Sequence, residues 1–239
     1  MRLLALVALL ALSALAFAEE PKARYETRAV HDPDGIGKFY KGREIAHVMG
    51  FQAAGWLDRS EREKEEEPAK LLKALDLKPG LTVADVGSGT GFHAFRIAPL
   101  VGPAGKVLAV DVQPEMVALI EARAKKEKVE NVVAVKCTEA DPKLPAGEVD
   151  LILLVDVYHE LEFPHEVATK MVAALKPGGR IAFVEFRRED AAVPIKLVHK
   201  MSERQVILEM AEFPELEHTK TIGGLPWQHI VVFTKAAKK

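Results

Sequence analysis

The sequence predicts an α/β fold: a seven-stranded, mostly parallel sheet with helices on both faces and a C-terminal antiparallel hairpin. Three observations predict it. From residue 68 onward, short apolar runs alternate with amphipathic segments of helical period. Turns such as Lys78-Pro79-Gly80 and Pro177-Gly178-Gly179 punctuate them. The last two strand candidates, over 217–222 and 229–234, meet through Gly223-Gly224 with no clear helix between them, as a hairpin requires. Alternation of this kind covers a parallel sheet on both faces.

Each element follows in order. Pro68 suits a first helical position, and Leu71, Leu72 and Leu75 make an apolar stripe behind it. A strand over 81–86 leads into a helix over 92–101. A strand over 106–110 leads into a helix over 114–126, with Met116, Leu119 and Ile120 on one side. Strands over 131–136 and 150–155 come next, then a helix over 164–175 and a strand over 180–186. Ser202 with Gln205 reads as a capping box opening another helix. Residues 217–222 and 229–234 close the chain as two strands.

The region before Pro68 reads differently. Residues 19–67 are polar and irregular, with a turn at His31-Asp32-Pro33-Asp34-Gly35, and we read them as an N-terminal cap on a main domain over 68–239. The charged run 59–67 reads as a solvated helix or linker. Phe39, Tyr40 and Trp56 either close over a ligand or bind the domain's own surface. At the start, Arg2, an uncharged apolar run over 3–18 and Ala16-Phe17-Ala18 before Glu19 have the form of a cleaved signal peptide over 1–18. The run is shorter than the ~20 residues of a spanning helix, so the expectation is a periplasmic or secreted chain with no stable membrane span after cleavage.

Composition narrows the function. Lys plus Arg total 33 against 35 for Asp plus Glu, a balance that argues against nucleic acid as a partner. Cys137 is the sole cysteine, which rules out an intrachain disulfide, and its apolar strand context reads as a buried structural thiol. The eight histidines form no ligand pair at helical or knuckle spacing with cysteine, so no metal site is expected.

The segment Val83-Ala84-Asp85-Val86-Gly87-Ser88-Gly89-Thr90-Gly91-Phe92 carries the chemistry. A strand runs into three glycines at alternate positions and a helix begins at once. Glycine lets the backbone turn tightly and lets a ligand come closer than any Cβ would permit. The helix N-terminus adds unpaired N–H groups and a favourable dipole for an anion. Asp111 ends the next strand, where an acid accepts hydrogen bonds from ribose hydroxyls. Together these mark a nucleoside site. A dinucleotide fingerprint needs a third glycine where Phe92 stands, which argues against NAD or FAD.

The pattern Asp85-Val86-Gly87-Ser88-Gly89-Thr90-Gly91 resembles the first motif of the class I S-adenosylmethionine-dependent methyltransferases, which have a Rossmann-like sheet. Asp111 matches the family's second-motif acid, and Leu175-Lys176-Pro177-Gly178-Gly179-Arg180 matches its turn before the fifth strand. The resemblance covers residue 68 to the C-terminus, is similar to the type 11 small-molecule branch, and as a whole chain to an exported bacterial subgroup. It implies S-adenosylmethionine as cofactor, held by Asp85, Gly87, Ser88, Gly89, Thr90 and Gly91 at the methionine end and by Asp111 at the ribose. Val112 and Met116 would lie near the adenine. Thr138 and Glu139 fall at its edge, in place of the family's usual Gly-Asp pair. Asp156 joins this set at the end of the fourth strand.

The implied reaction is in-line displacement of the methyl group by a small-molecule acceptor. On the acceptor side stand Tyr158 and His159, with Glu160 beside them. His159 is a base, a substrate contact or a helix cap; Tyr158 reads as a pocket wall. Glu185 and Arg187 face the pocket or form an ion pair, His93 faces solvent or the site, and Trp227 and His229 read as structural. The competing function is a non-catalytic protein of the cell envelope that binds S-adenosyl compounds.

Overall fold

The computed structural model describes residues 23–237; the signal peptide expected over 1–18 lies outside them. The first surprise is β structure in the region read as irregular. Tyr25–Thr27 (β1), Gly35–Tyr40 (β2) and Arg43–Ala46 (β3) form a three-stranded antiparallel sheet. In β2 the inward positions are Gly35, Gly37 and Phe39. Two glycines in three inward places leave hydropathy no period-2 signal to show. An ideal Cβ on Gly35 would lie 2.1 Å from Glu44 Oε1. That space is taken because the Glu44 carboxylate accepts the backbone N–H groups of Asp32 and Gly37.

Three short helices follow, Ala54–Leu57 (α1), Arg62–Glu65 (α2) and Pro68–Ala74 (α3). The charged run forms α2, with Glu61, Glu63 and Lys64 exposed as a solvated helix requires, but one face is buried. Arg62 and Glu66 are 5% and 2% exposed and pair at 2.6 Å, so both ions are withdrawn from water together.

The main sheet then builds strand by strand. Thr82–Val86 (β4), Ala94–Val101 (α4), Lys106–Asp111 (β5), Pro114–Glu127 (α5) and Val132–Lys136 (β6) form one half. Val149–Val155 (β7), Pro164–Ala174 (α6), Leu175–Phe186 (β8), Glu203–Met210 (α7), Leu216–Ile222 (β9) and Gln228–Lys235 (β10) form the other. The strand order is β6-β5-β4-β7-β8-β10-β9. The first five pair in parallel, and β10 runs antiparallel to both β8 and β9. This is the Rossmann-like sheet with the terminal hairpin. The Pro177-Gly178-Gly179 turn sits within β8 as a bulge, since Val149 pairs with Leu175 and Leu151 with Arg180.

β7 explains why the sheet is covered twice. Ile152 and Leu154 pack into one core with α6 and α7, while Leu151 and Leu153 pack into the other with α3, α4 and α5. All four are fully buried, each contributing about 1.5–3 kcal/mol of burial. Of the capping box, half forms. Ser202 Oγ accepts the Gln205 N–H at 3.1 Å, but the Gln205 side chain turns to Glu209 and the Lys41 carbonyl.

β4 pairs with β5 on one side and β7 on the other. Connections leaving in opposite directions open a crevice at the strand C-termini. The N-terminal sheet is fastened beside it by Arg43, which pairs with Glu209 at 2.8 and 3.1 Å and donates to the His159 carbonyl at 3.0 Å.

Candidate functional site

The crevice holds a cavity of about 660 Å³, within the usual size of a small-ligand pocket. Its floor is the glycine turn. Gly87 and Ser88 both donate to the Val110 carbonyl, binding the end of β4 to the end of β5. Gly87 has φ +73°, and a Cβ there would lie 2.5 Å from both methyls of Val157. Gly89 has φ +56°, and a Cβ there would meet Leu57 Cδ1 at 2.6 Å. A side chain at Gly87 would press on the β-branched Val157 and one at Gly89 would displace the Leu57 tip, both at a positive φ that disfavours any residue but glycine.

Asp111 faces this turn from β5. Its Oδ2 accepts the Gly89 N–H at 2.8 Å and its Oδ1 the Gln113 N–H at 2.9 Å. The carboxylate retains capacity to accept further hydrogen bonds. Burial pushes Asp111 up, and the N–H groups of Gln113 and Gly89 draw it back. Gln113 also carries the cap: its side chain bonds Met49 O and Phe51 N.

At the other side of the turn lie Asp85 and Asp156. Burial pushes Asp85 up to about 6, against the Ser88 hydroxyl, which donates to it at 2.8 Å, and the charge of Arg62. Asp156 is held in the left-handed region at φ +52°. Burial, then the charges of Glu66 and Glu185, raise it well above the usual carboxylate range, opposed by Arg62 and by the Gln228 amide, which donates to Oδ2 at 2.5 Å. Its Oδ1 is buried with no partner, as is His93 Nδ1 nearby in the same cavity wall. His93 is 4% exposed rather than solvent-facing. Burial and the neighbouring cations Arg62 and Arg96 keep it neutral, its pKa pushed well down. Phe92, at the place a dinucleotide site needs glycine, supports the Arg62 and Arg96 guanidinium groups on its ring at 4.1 and 3.6 Å.

The opposite wall is built on the ends of β7 and β8. His159 Nδ1 lies 2.6 Å from Glu185 Oε2, and Glu185 Oε1 accepts the Tyr158 N–H at 2.9 Å. Glu185 is fully buried. Burial disfavours the charged imidazole, but the Glu185 carboxylate outweighs it and the His159 pKa is raised. Nδ1–H donation leaves Nε2 as an acceptor, and it forms a hydrogen bond of 3.3 Å with His199 Nδ1. Glu160 and His199 stand beside it.

The sequence-predicted residues are thus brought together with three exceptions. Asp85, Gly87, Ser88, Gly89, Asp111, Val112, Met116, Thr138, Glu139, Asp156 and His159 line the cavity. Thr90, Gly91 and Tyr158 do not. The Thr90 hydroxyl donates to Asp58, a Cβ on Gly91 would meet Phe95 at 2.8 Å, and Tyr158 is fully buried in the core with its ring 4.8 Å from that of Phe183. Burial and the Glu209 carboxylate raise the Tyr158 phenol well above its ordinary value. Arg187 ties down the Leu225–Gln228 turn instead of facing the cavity. The cavity's upper wall holds residues that reading the sequence missed: His47, Val48, Met49, Leu57, Arg62 and His199. The Arg62/Glu66 spacing of four was the available signal for that pair.

A switch-point cleft with a glycine turn, the strand-end acid Asp111 and a buried acidic pocket defines a Rossmann-like α/β protein with a small-ligand cleft. Residues 77–232 match the family described as methyltransferase domain. The chain belongs to that family, whose cofactor is S-adenosylmethionine. It is similar to nocamycin O-methyltransferase of Saccharothrix syringae, 33% identical over 115 residues, 47% of this chain and 40% of that protein. It is also similar to arsenite methyltransferase of Halobacterium salinarum, 36% identical over 107 residues, 44% of this chain and 27% of that protein. The matched part therefore spans less than half the length of these relatives. Among solved structures, a SAM-dependent methyltransferase from Aquifex aeolicus superposes with a TM-score of 0.74 at 28% identity, covering 79% of this chain and all of that one.

The residues present fit the cofactor. Buried Asp156 Oδ1 lacks a partner that an ammonium would provide, Asp85 and Asp156 suit a cationic ligand, and the glycine cradle would be filled by any Cβ.

Proposed function

We propose that the chain transfers a methyl group from S-adenosylmethionine to a small-molecule acceptor bound in the same cleft. The observation that carries this reading is one cavity joining the glycine turn and Asp111 to the His159–Glu185 pair. When bound, the cofactor supplies a methyl group on a sulfonium already activated for displacement. The chain's own work is to hold and align, and alignment alone is worth several kcal/mol, up to about 7–11 in favourable cases. Asp85 and Asp156 bind the amino end, Asp111 the ribose, and Val112, Met116, Thr138 and Glu139 the adenine. Val48, Met49, Trp56 and Leu57 exclude water from above. His159, oriented by Glu185, presents Nε2 to an acceptor that must lose a proton.

Calorimetry with S-adenosylmethionine, its demethylated product and NAD tests the ligand. Isotopic methyl transfer into a cell-envelope extract tests the reaction. Binding of both S-adenosyl compounds with transfer of label supports the reading; binding without transfer favours the non-catalytic alternative. We also infer that the protein works in the periplasm or outside the cell, on the strength of residues 2–18. A mature N-terminus at Glu19 by mass spectrometry supports export, and an intact Met1 refutes it.

A further inference from the structure

The geometry points to a divalent transition-metal site on the acceptor side of the cleft, made by His159, Glu160 and His199. Their donor atoms converge. His159 Nε2 and His199 Nδ1 form a hydrogen bond of 3.3 Å, which an ion would replace, and Glu160 Oε1 lies 3.9 Å from the first and 3.6 Å from the second. A point equidistant from three atoms so spaced lies about 2.1 Å from each, which matches the ~2.0–2.2 Å of Zn–N and Zn–O bonds.

A second observation prepares the set for an ion. The buried Glu185 carboxylate accepts the His159 Nδ1–H at 2.6 Å, which fixes the tautomer that leaves Nε2 as a donor to metal. A carboxylate behind a ligating imidazole is the usual support of such sites. Glu160 is held as well: its Oε2 accepts the Met49 N–H at 3.4 Å, leaving Oε1 toward the two nitrogens. Two imidazoles and one carboxylate suit Zn²⁺, Co²⁺ or Fe²⁺ rather than the all-oxygen shells of Mg²⁺. All three residues line the cavity, so the remaining coordination positions open on the space assigned to the acceptor.

This inference deepens the methyl-transfer reading and rests on it for the identity of that space. Without an ion, His159 Nε2 is the base described above; a bound ion would occupy that lone pair and take over the task, supplying Lewis acidity that lowers the pKa of a ligated oxygen or nitrogen acceptor, and the acceptors it selects are those able to ligate it.

The test uses chelator-treated full-length protein titrated with Co²⁺ and followed by its visible ligand-field spectrum. One Co²⁺ per chain is expected, displaced by Zn²⁺ and not by Mg²⁺. His199→Ala removes a half-buried ligand and is expected to weaken binding by at least about tenfold; Glu185→Gln, which keeps all three ligands, by about 10- to 100-fold. His218→Ala, on the far sheet edge, should leave it unchanged. Absence of stoichiometric Co²⁺ binding, or equal affinity in the parent, His199→Ala and Glu185→Gln, overturns the site. S-adenosylmethionine calorimetry on the same samples separates the two readings. Cofactor binding without Co²⁺ binding sinks the ion site alone, and Co²⁺ binding without cofactor binding sinks the methyl-transfer reading alone.

Discussion

Asp85→Asn should stabilise the free protein and weaken its cofactor binding at the same time. The carboxyl is 3% exposed and burial lifts it from 3.8 to about 6. At about 1.4 kcal/mol per unit, holding it ionised at pH 8 costs on the order of 3 kcal/mol. The sign follows from linkage: a folded-state value above the unfolded one gives stability that is full below about pH 4 and lost as pH rises through about 6. Asparagine removes that loss but matches the Ser88 hydroxyl and the Ala94 N–H less well, returning about 1 kcal/mol. The net gain at pH 8 is about 1–2 kcal/mol, or roughly 2–8 °C in Tm for a chain of this size. The ligand feels the opposite. A cationic amino group needs the carboxylate, so losing the charge costs about 1.5–3 kcal/mol, roughly 10- to 150-fold in affinity. For the same reason the parent's affinity should fall as pH drops below 6. Scanning calorimetry from pH 4 to 8 and titration calorimetry with S-adenosylmethionine read both effects. A variant that loses stability at pH 8 and keeps its affinity would refute the reasoning.

Three more outcomes follow from the geometry. Asp111→Asn replaces one acceptor with a donor facing a backbone N–H, so both affinity and stability should drop, each by about 1–3 kcal/mol in calorimetry; no change in either removes Asp111 from its assigned place. Gly87→Ala should cost about 1–2 kcal/mol of left-handed strain plus a clash with Val157, and adding Val157→Ala should restore only the clash share in urea unfolding; full recovery would deny the strain. Arg43→Ala leaves the Glu209 carboxylate, at 0% exposure, without its counter-ion and with the Gln205 amide still bonded to it, and should cost about 3–5 kcal/mol in urea, whereas Arg43→Met with Glu209→Leu should recover most of it.

Much of the main sheet was legible because its central strands β4, β5 and β7 are apolar runs between turn residues, and burial on both faces demands that pattern. The glycine-turn wall of the cleft was legible for a related reason: Asp85 through Gly89 and Asp111 lie at the ends of consecutive strands, so chain order and spatial order coincide. The N-terminal sheet was not. Its inward glycines give no hydropathy signal, and Arg62 and Glu66 look solvated until their partners are known.

The acceptor wall depended on the fold still more. His199 stands 40 residues from His159, and Glu185 26 residues from it; no spacing rule links them, and the expectation of no metal site rested on spacing. Local pattern by itself determined the strands, the helices and the glycine turn, because those depend on neighbours in the chain. Which imidazole meets which carboxylate, which arginine is buried and what closes the cleft were decided by tertiary packing, since those contacts exist only once β3, β7, β8 and the segment after β8 converge.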